Sequence, residues 1–166
     1  MEIKTNNIDK REIIEGLKIY NYFILNSLSN FEEKVLSIQK FNEMLIAIRQ
    51  NKLPLLLLKM QNKVVGIAFV NKFREKSGYR FTFEHSIYIS PNNTNQGLGS
   101  LLLRKLINEC KKNKKIKNLI AVIGGSDNIA SIKIHEKNGF KHIGTLKKIG
   151  FKKNKWIDSV YMQKKL

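Results

Sequence analysis

Apolar positions along this chain recur at two different periods. Behind Asp9, a residue type suited to capping a helix start, Ile13, Ile14, Leu17, Tyr20 and Ile24 fall at helical spacing, and Val35, Ile38, Phe41, Leu45 and Ile48 repeat the pattern. Ile3 to Thr5 reads as a short strand ahead of them. Three strand-like runs follow: Leu53 to Met60, Val64 to Phe73 across the turn Gln61-Asn62-Lys63, and Tyr79 to Ser90, rich in aromatic and β-branched residues. A polar loop from Pro91 to Gln96 then opens into a helix with Leu98, Leu101, Leu102 and Leu106 on its buried side. Leu119 to Ile123 predicts a buried strand, and Asn128 opens a short helix that stops at Asn138-Gly139. Phe140 to Leu146 and Trp156 to Met162 predict the last two strands. The order is β-α-α-β-β-β-α-β-α-β-β, an α/β fold with a mixed central sheet and flanking helices. With no repeat, linker or low-complexity stretch, residues 1–166 form one expected domain.

Composition narrows the function. No apolar run approaches the roughly 20 residues of a membrane helix. The first residues lack a basic-then-apolar signal pattern, and the single Cys110 allows no internal disulfide, so a cytoplasmic protein is expected. Cys110, at an apolar helical position, reads as core. The net charge of +18 raises the question of a polyanionic partner. Its lysines are spread along the whole chain, however. The clusters at Lys111 to Lys115, Lys147-Lys148 and Lys152-Lys153 carry no interleaved aromatic platform, which argues against nucleic acid. The three histidines lack a metal-ligand spacing, and no metal is expected.

Gln96-Gly97-Leu98-Gly99-Ser100 is the first candidate site. Closely spaced glycines let a backbone approach a ligand, and the free amides of a helix start attract anions such as a pyrophosphate. A glycine turn before an ordinary core helix is the plainer alternative. No Gly-Lys-Ser/Thr follows, so this is not a P-loop, and no acidic residue stands where a dinucleotide fold needs one.

In context the motif says more. Ile87-Tyr88-Ile89-Ser90-Pro91, the Gly97-x-Gly99 helix start and Asn128 followed by His135-Glu136-Lys137-Asn138-Gly139-Phe140 resemble the GNAT acetyltransferase core. Within that superfamily the chain looks most like the phosphinothricin and methionine sulfone/sulfoximine N-acetyltransferases. Ile19-Tyr20-Asn21, Asn26, Phe31-Glu32, Phe73 to Lys76, Tyr79-Arg80, Gly144-Thr145-Leu146, Gly150-Phe151-Lys152 and Trp156-Ile157-Asp158 extend the resemblance over nearly the whole chain. Thr94 departs from the arginine or glutamine usual at the start of the phosphate loop, and Ser77-Gly78 from a commoner Pro-Ala pair.

The resemblance implies acetyl-CoA as co-substrate. Its thioester and pantetheine would lie along Ile87, Tyr88 and Ile89, its pyrophosphate on Asn95, Gln96, Gly97, Leu98, Gly99 and Ser100, with Asn128 on the pantetheine arm. Lys137 would meet a CoA phosphate or simply face solvent. Glu84 matches the family's catalytic base, and a carboxylate amid Phe81, Phe83 and Ile87 would have a raised pKa if buried. His135 stands where many acetyltransferases place a tyrosine that protonates the departing thiolate, and it is the second catalytic candidate. Arg74, Glu75, Lys76, Tyr79 and Arg80 would form the acceptor loop, Arg74 suiting a carboxylate or phosphinate. His85 and Ser86 would orient the acceptor. The expected activity is acetyl transfer to the amine of a small amino-acid-like substrate by a homodimer. The alternatives are acetylation of protein N-termini or lysines, and a non-catalytic basic module on the same fold. Trp156 and Tyr161 read as core or interface, and His142 as packing or solvent-facing.

Overall fold

The computed structural model describes residues 1–5 and 8–166. Its elements are β1 (Glu2–Lys4), α1 (Lys10–Asn26), α2 (Ile38–Gln50), β2 (Leu55–Met60), β3 (Lys63–Lys72), β4 (Thr82–Ile89), α3 (Leu98–Lys112), β5 (Asn118–Gly124), α4 (Ile129–Lys137), β6 (Lys141–Lys152) and β7 (Lys155–Lys165). The strands form one sheet in the order β1-β2-β3-β4-β5-β7-β6. Every pairing is antiparallel except β4 with β5. Among the described residues, no helix is long and apolar enough to cross a membrane.

Helices cover both faces of the sheet, and this explains why Leu55 to Leu58 is apolar without alternation. Leu55 and Leu57 pack under α1 and α2 with Tyr20, Ile24, Phe41 and Leu45. Leu56 and Leu58 pack on the other face with Leu102, Leu106 and Cys110 of α3. The β2–β3 hairpin closes at Gln61 and Asn62, both at positive φ, the conformation a tight two-residue turn requires. Asp9 caps α1 in a capping box, accepting from the Glu12 N–H while Glu12 accepts from the Asp9 N–H. Burial alone would raise the Glu12 pKa. Lys4, Lys59 and the Asp9 amide outweigh it and bring the carboxyl down to about 2.

Several boundaries differ from the expected ones. Ser77–Tyr79 forms a 3₁₀ turn, so the third long strand starts at Thr82 rather than Tyr79. Val35 precedes α2 and is exposed, as are Ile14 and Ile38. β6 continues past Leu146 to Lys152, making a long ribbon with β7 that is interrupted by irregularities at His142/Gly144 and Leu146/Gly150. Trp156 lies on this ribbon, 63% exposed and edge-on to Phe151, so it is not a core residue. The reason is positional: β7 and β6 end the sheet, and Trp156 meets Phe151 of the neighbouring strand with most of its surface in solvent.

Candidate active site

The sheet opens between β4 and β5. β4 meets β5 only at Thr82↔Asn118, Phe83↔Leu119 and Glu84↔Ile120. From His85 to Ile89, β4 is held by β3 alone, while β5 from Ala121 to Gly124 is held by β7 alone. The two strands part, and a cleft of about 430 Å³ opens between them. Backbone polar groups on its walls have no ladder partner and are available to a ligand. Glu84, His85, Ser86, Ile87, Tyr88 and Ile89 all line it, together with Gly99, Asn128 and His135.

Glu84 is the last paired residue of β4, at the apex of the split. Desolvation raises its pKa, and the nearby charge of Arg74 opposes the rise. Arg74 is exposed, its guanidinium 5.2 Å from the centre of the Phe73 ring, against which Tyr79 packs edge-on at 5.9 Å. The charge of Arg74 thus reaches a carboxylate of raised pKa. None of the expected acceptor loop, Arg74 and Tyr79 included, is on the cleft wall. Glu75 pairs with Lys72 in solvent, Arg80 lies over the Phe81 ring and donates to the Ser77 carbonyl, and Lys76 is exposed before the 3₁₀ turn.

His85 of β4 and His135 of α4 meet across the cleft. Their Nε2 atoms are 2.9 Å apart, and His135 Nδ1 is 2.7 Å from the Ser131 carbonyl oxygen. Both rings pack on Phe140 at 5.1–5.2 Å between centroids. Burial pushes the His85 pKa down to about 3, assisted by His135 and offset in part by the Ile120 backbone. Burial lowers His135 as well, against the Ser131 carbonyl. His135 therefore has no free N–H with which to protonate a thiolate, because both ring nitrogens are engaged.

The glycine motif forms the mouth. Asn95 and Gly97 adopt positive φ, 59° and 74°, and Gly97 occupies the N-cap of α3 with no side chain capping it. The first-turn amides of a 15-residue helix are thus left open to an anion. Gly99 lines the cleft with little room to spare, since a Cβ there would lie 3.2 Å from Ile134 Cδ1. Asn95, Gln96 and Gly97 are exposed at the mouth, Leu98 is core, and Ser100 Oγ accepts from Asn138 Nδ2, tying α3 to α4. Leu98 and Ser100 can contribute backbone only. Asn128 caps α4 with its side-chain oxygen, leaving its amide N–H groups for a ligand. Lys137 is exposed in the last turn of α4, where a lysine complements the helix dipole.

A third wall went unassigned in the sequence. Tyr20 and Phe23 of α1, with Ser29, Asn30, Phe31 and Glu32 of the α1–α2 connection, line the cleft. Asn30 Nδ2 donates to the Tyr88 hydroxyl at 3.2 Å, and Asn30 Oδ1 accepts from the Glu32 amide. The buried Lys152 Nζ donates to the Asn30 carbonyl at 2.5 Å, and Phe31 packs where a Gly150 side chain would stand. The only sequence signal was that Tyr20 and Phe31-Glu32 fall in stretches that carry the resemblance.

Comparison with known proteins agrees with this geometry. The family model described as an acetyltransferase (GNAT) domain matches residues 6–161. The phosphinothricin N-acetyltransferase of Alcaligenes faecalis is 36% identical over 148 residues, 89% of this chain and 75% of that protein. The ribosomal-protein-alanine N-acetyltransferase of Brucella melitensis superposes with a TM-score of 0.94 at 32% identity, covering 100% of both chains. A phosphinothricin acetyltransferase from Sinorhizobium meliloti, solved in complex with acetyl-CoA, superposes with a TM-score of 0.92 at 31% identity, covering 99% of this chain and 88% of that one. An unpaired strand, an uncapped glycine-rich helix start and a carboxylate at the apex between them thus occur in a chain that belongs to the GNAT acetyltransferase family.

Proposed function

We propose that this acetyltransferase moves an acetyl group from acetyl-CoA to the amine of a free amino-acid-like acceptor, of the phosphinothricin or methionine sulfone/sulfoximine kind. One observation carries the reading: Glu84, with its raised pKa, stands where β4 leaves β5, within the field of Arg74. Acetyl-CoA runs from the open amides of Gly97 to Ser100, which take its pyrophosphate, along the unpaired edge of Ile87 to Ile89, with Asn128 on the pantetheine arm. Arg74 holds the acceptor carboxylate or phosphinate. Glu84, directly or through a water, takes a proton from the acceptor ammonium and so frees its lone pair. The amine nitrogen bonds to the thioester carbon, and the C–S bond breaks as the tetrahedral adduct collapses. One of the two protons left on nitrogen passes to solvent as the amide forms, and the CoA thiolate, the conjugate base of a thiol whose ordinary pKa is near 8.5, departs without a strong acid. His85, Ser86 and His135 shape the chamber around the reacting atoms.

The Brucella relative's name gives a second reading, acetylation of a protein N-terminal alanine. Two features favour the small acceptor: the cleft is only about 430 Å³ and is walled on the acceptor side by Phe31 and Glu32. A homodimer fits the exposed apolar strip of Ile143, Leu146, Ile149, Phe151 and Trp156 on the β6–β7 ribbon. The deciding experiment measures thiol release from acetyl-CoA with methionine sulfone, methionine sulfoximine, phosphinothricin, the common amino acids and alanine-initiated peptides. The reading expects kcat/KM at least tenfold higher for a free amino-acid analogue than for any peptide. Peptides as the better acceptors would replace it with the second reading.

A further inference from the structure

We propose that His85 is a positioning residue for acetyl transfer. Through its bridge it occupies Nε2 of His135, whose proton the Ser131 carbonyl holds on Nδ1, and so closes the apex of the cleft with an uncharged wedge. The proposal rests on acetyl transfer taking place in this cleft.

The tautomers follow from one contact. A carbonyl oxygen only accepts, so the 2.7 Å contact between His135 Nδ1 and the Ser131 oxygen requires a proton on Nδ1. A neutral imidazole carries one N–H, so His135 Nε2 is bare. The 2.9 Å bridge then requires His85 Nε2–H to donate to it. His85 Nδ1 is left as a bare acceptor, and it is indeed a buried atom with no hydrogen-bond partner. The two residues are 50 positions apart and come from opposite walls, so the bridge spans the point where β4 and β5 separate.

The surroundings keep the pair neutral. His85 is 6% exposed and His135 3%. Phe140 packs on both rings, and α4 presents the Ser131 carbonyl. Apart from burial, His85 responds to His135 and the Ile120 backbone, and His135 to the Ser131 carbonyl. Glu84, the neighbouring titratable group on β4, alternates to the opposite side of the strand and answers to Arg74. No carboxylate therefore stabilises an imidazolium here. The neutrality has a use, because a cation at the apex would lower the Glu84 pKa and weaken it as a base. Removing His85 frees His135 Nε2 to the cleft and to water, which makes it easier for the ring to take up a proton.

Nitrogen-15 NMR of histidine side chains tests this in the intact protein without turnover. The expected result is His135 with its proton on Nδ1, His85 with its proton on Nε2, and both rings neutral at pH 7. In His85→Phe, the His135 titration moves upward, toward the ordinary imidazole value of about 6.5. Below that pH, kcat falls about three- to tenfold further than in the parent, with the acetyl-CoA KM unchanged within about twofold. His85→Gln offers an amide N–H to His135 Nε2 and returns the parent pH profile. A His135 proton on Nε2 in the parent overturns the proposal, as does a parent His135 titrating near 6.5. So does a folded His85→Phe with an unchanged pH profile. If His85→Phe fails to fold, the parent spectra and His85→Gln decide. An absence of acetyl transfer to any acceptor overturns the functional reading instead, while the spectra still report the bridge.

Discussion

Two cavities of nearly equal volume differ in their makings, and one of the two is built as an active site. The cleft between β4 and β5 measures about 430 Å³, and a second hollow beside Asn51 to Leu56 and Glu109 to Lys115 about 420 Å³. The first is built from unmet requirements: unpaired strand edges, an uncapped helix start, a carboxylate of raised pKa and a buried histidine nitrogen without a partner. The second is built from met ones. It lies at the C-terminal ends of α2 and α3, where Lys52, Lys112, Lys114 and Lys115 complement the helix dipoles. Asn113 closes it by donating to the Lys52 carbonyl, and Lys112 pairs with Glu109. Groups the fold itself has left unsatisfied mark a place for a ligand; the volume of a hollow does not.

The sharpest way to break this comparison is to remove the most strained of the unmet groups. Glu84→Gln keeps the shape but cannot accept a proton, and losing a positioned base costs about 100- to 10,000-fold in turnover. Because desolvation raises the Glu84 pKa, the parent's activity rises with pH through a carboxylate titrating above its ordinary value. In the variant that limb is lost, and activity recovers in part at high pH, where the acceptor amine is already neutral. Turnover against pH, with acetyl-CoA affinity and melting temperature as controls, checks it. A folded Glu84→Gln with near-parent turnover at neutral pH removes the base from the mechanism.

The next effect is smaller and specific to the acceptor. Arg74→Ala removes a charge-assisted contact worth about 1.5–3 kcal/mol, raising the acceptor KM about 10- to 100-fold while the acetyl-CoA KM stays within about twofold. It also removes the charge that opposes the Glu84 rise, so the acid limb of kcat moves to higher pH. Steady-state kinetics with each substrate varied in turn separates the two. A parallel loss of affinity for both substrates would make Arg74 a structural or cofactor residue.

Much of this was legible in the sequence, for reasons that also explain what was not. The α1, α2 and α3 periodicities survive because each helix buries one continuous face, as Tyr20, Phe41 and Leu102 do. The glycine motif and Glu84 are local and carry their chemistry on adjacent residues. The end of β6 was missed because an edge strand with irregular register has no clean alternation, and of the two readings of Trp156, core or interface, its exposure on the ribbon excludes only the first. The Ser29 to Glu32 wall has no period at all. It reaches the cleft only because Gly124 and Gly150 lack the Cβ that would strike Leu28 and Phe31. The bridge between His85 and His135 depends on two residues brought together by the split, which no spacing along the chain expresses.

The smallest expected effect bears on the second hollow. Replacing Lys112, Lys114 and Lys115 together with alanine removes its cationic lining but no unsatisfied group. An exposed pair such as Lys112 with Glu109 contributes about 0–1 kcal/mol, and each lysine at a helix C-terminus about 0.3–1 kcal/mol. The melting temperature therefore falls by only a few degrees for a domain of this size. The chain still carries a large positive charge after three lysines are lost from a net +18, so attraction of the anionic CoA persists. At physiological salt, where the screening length is about 8 Å, kcat/KM for acetyl-CoA should stay within about twofold of the parent. At tenfold lower salt a modest decrease is expected, from long-range steering alone. A tenfold rise in the acetyl-CoA KM at physiological salt would mean that the lysine hollow touches the cofactor. The contrast between met and unmet requirements would then fail as a guide to where this protein works.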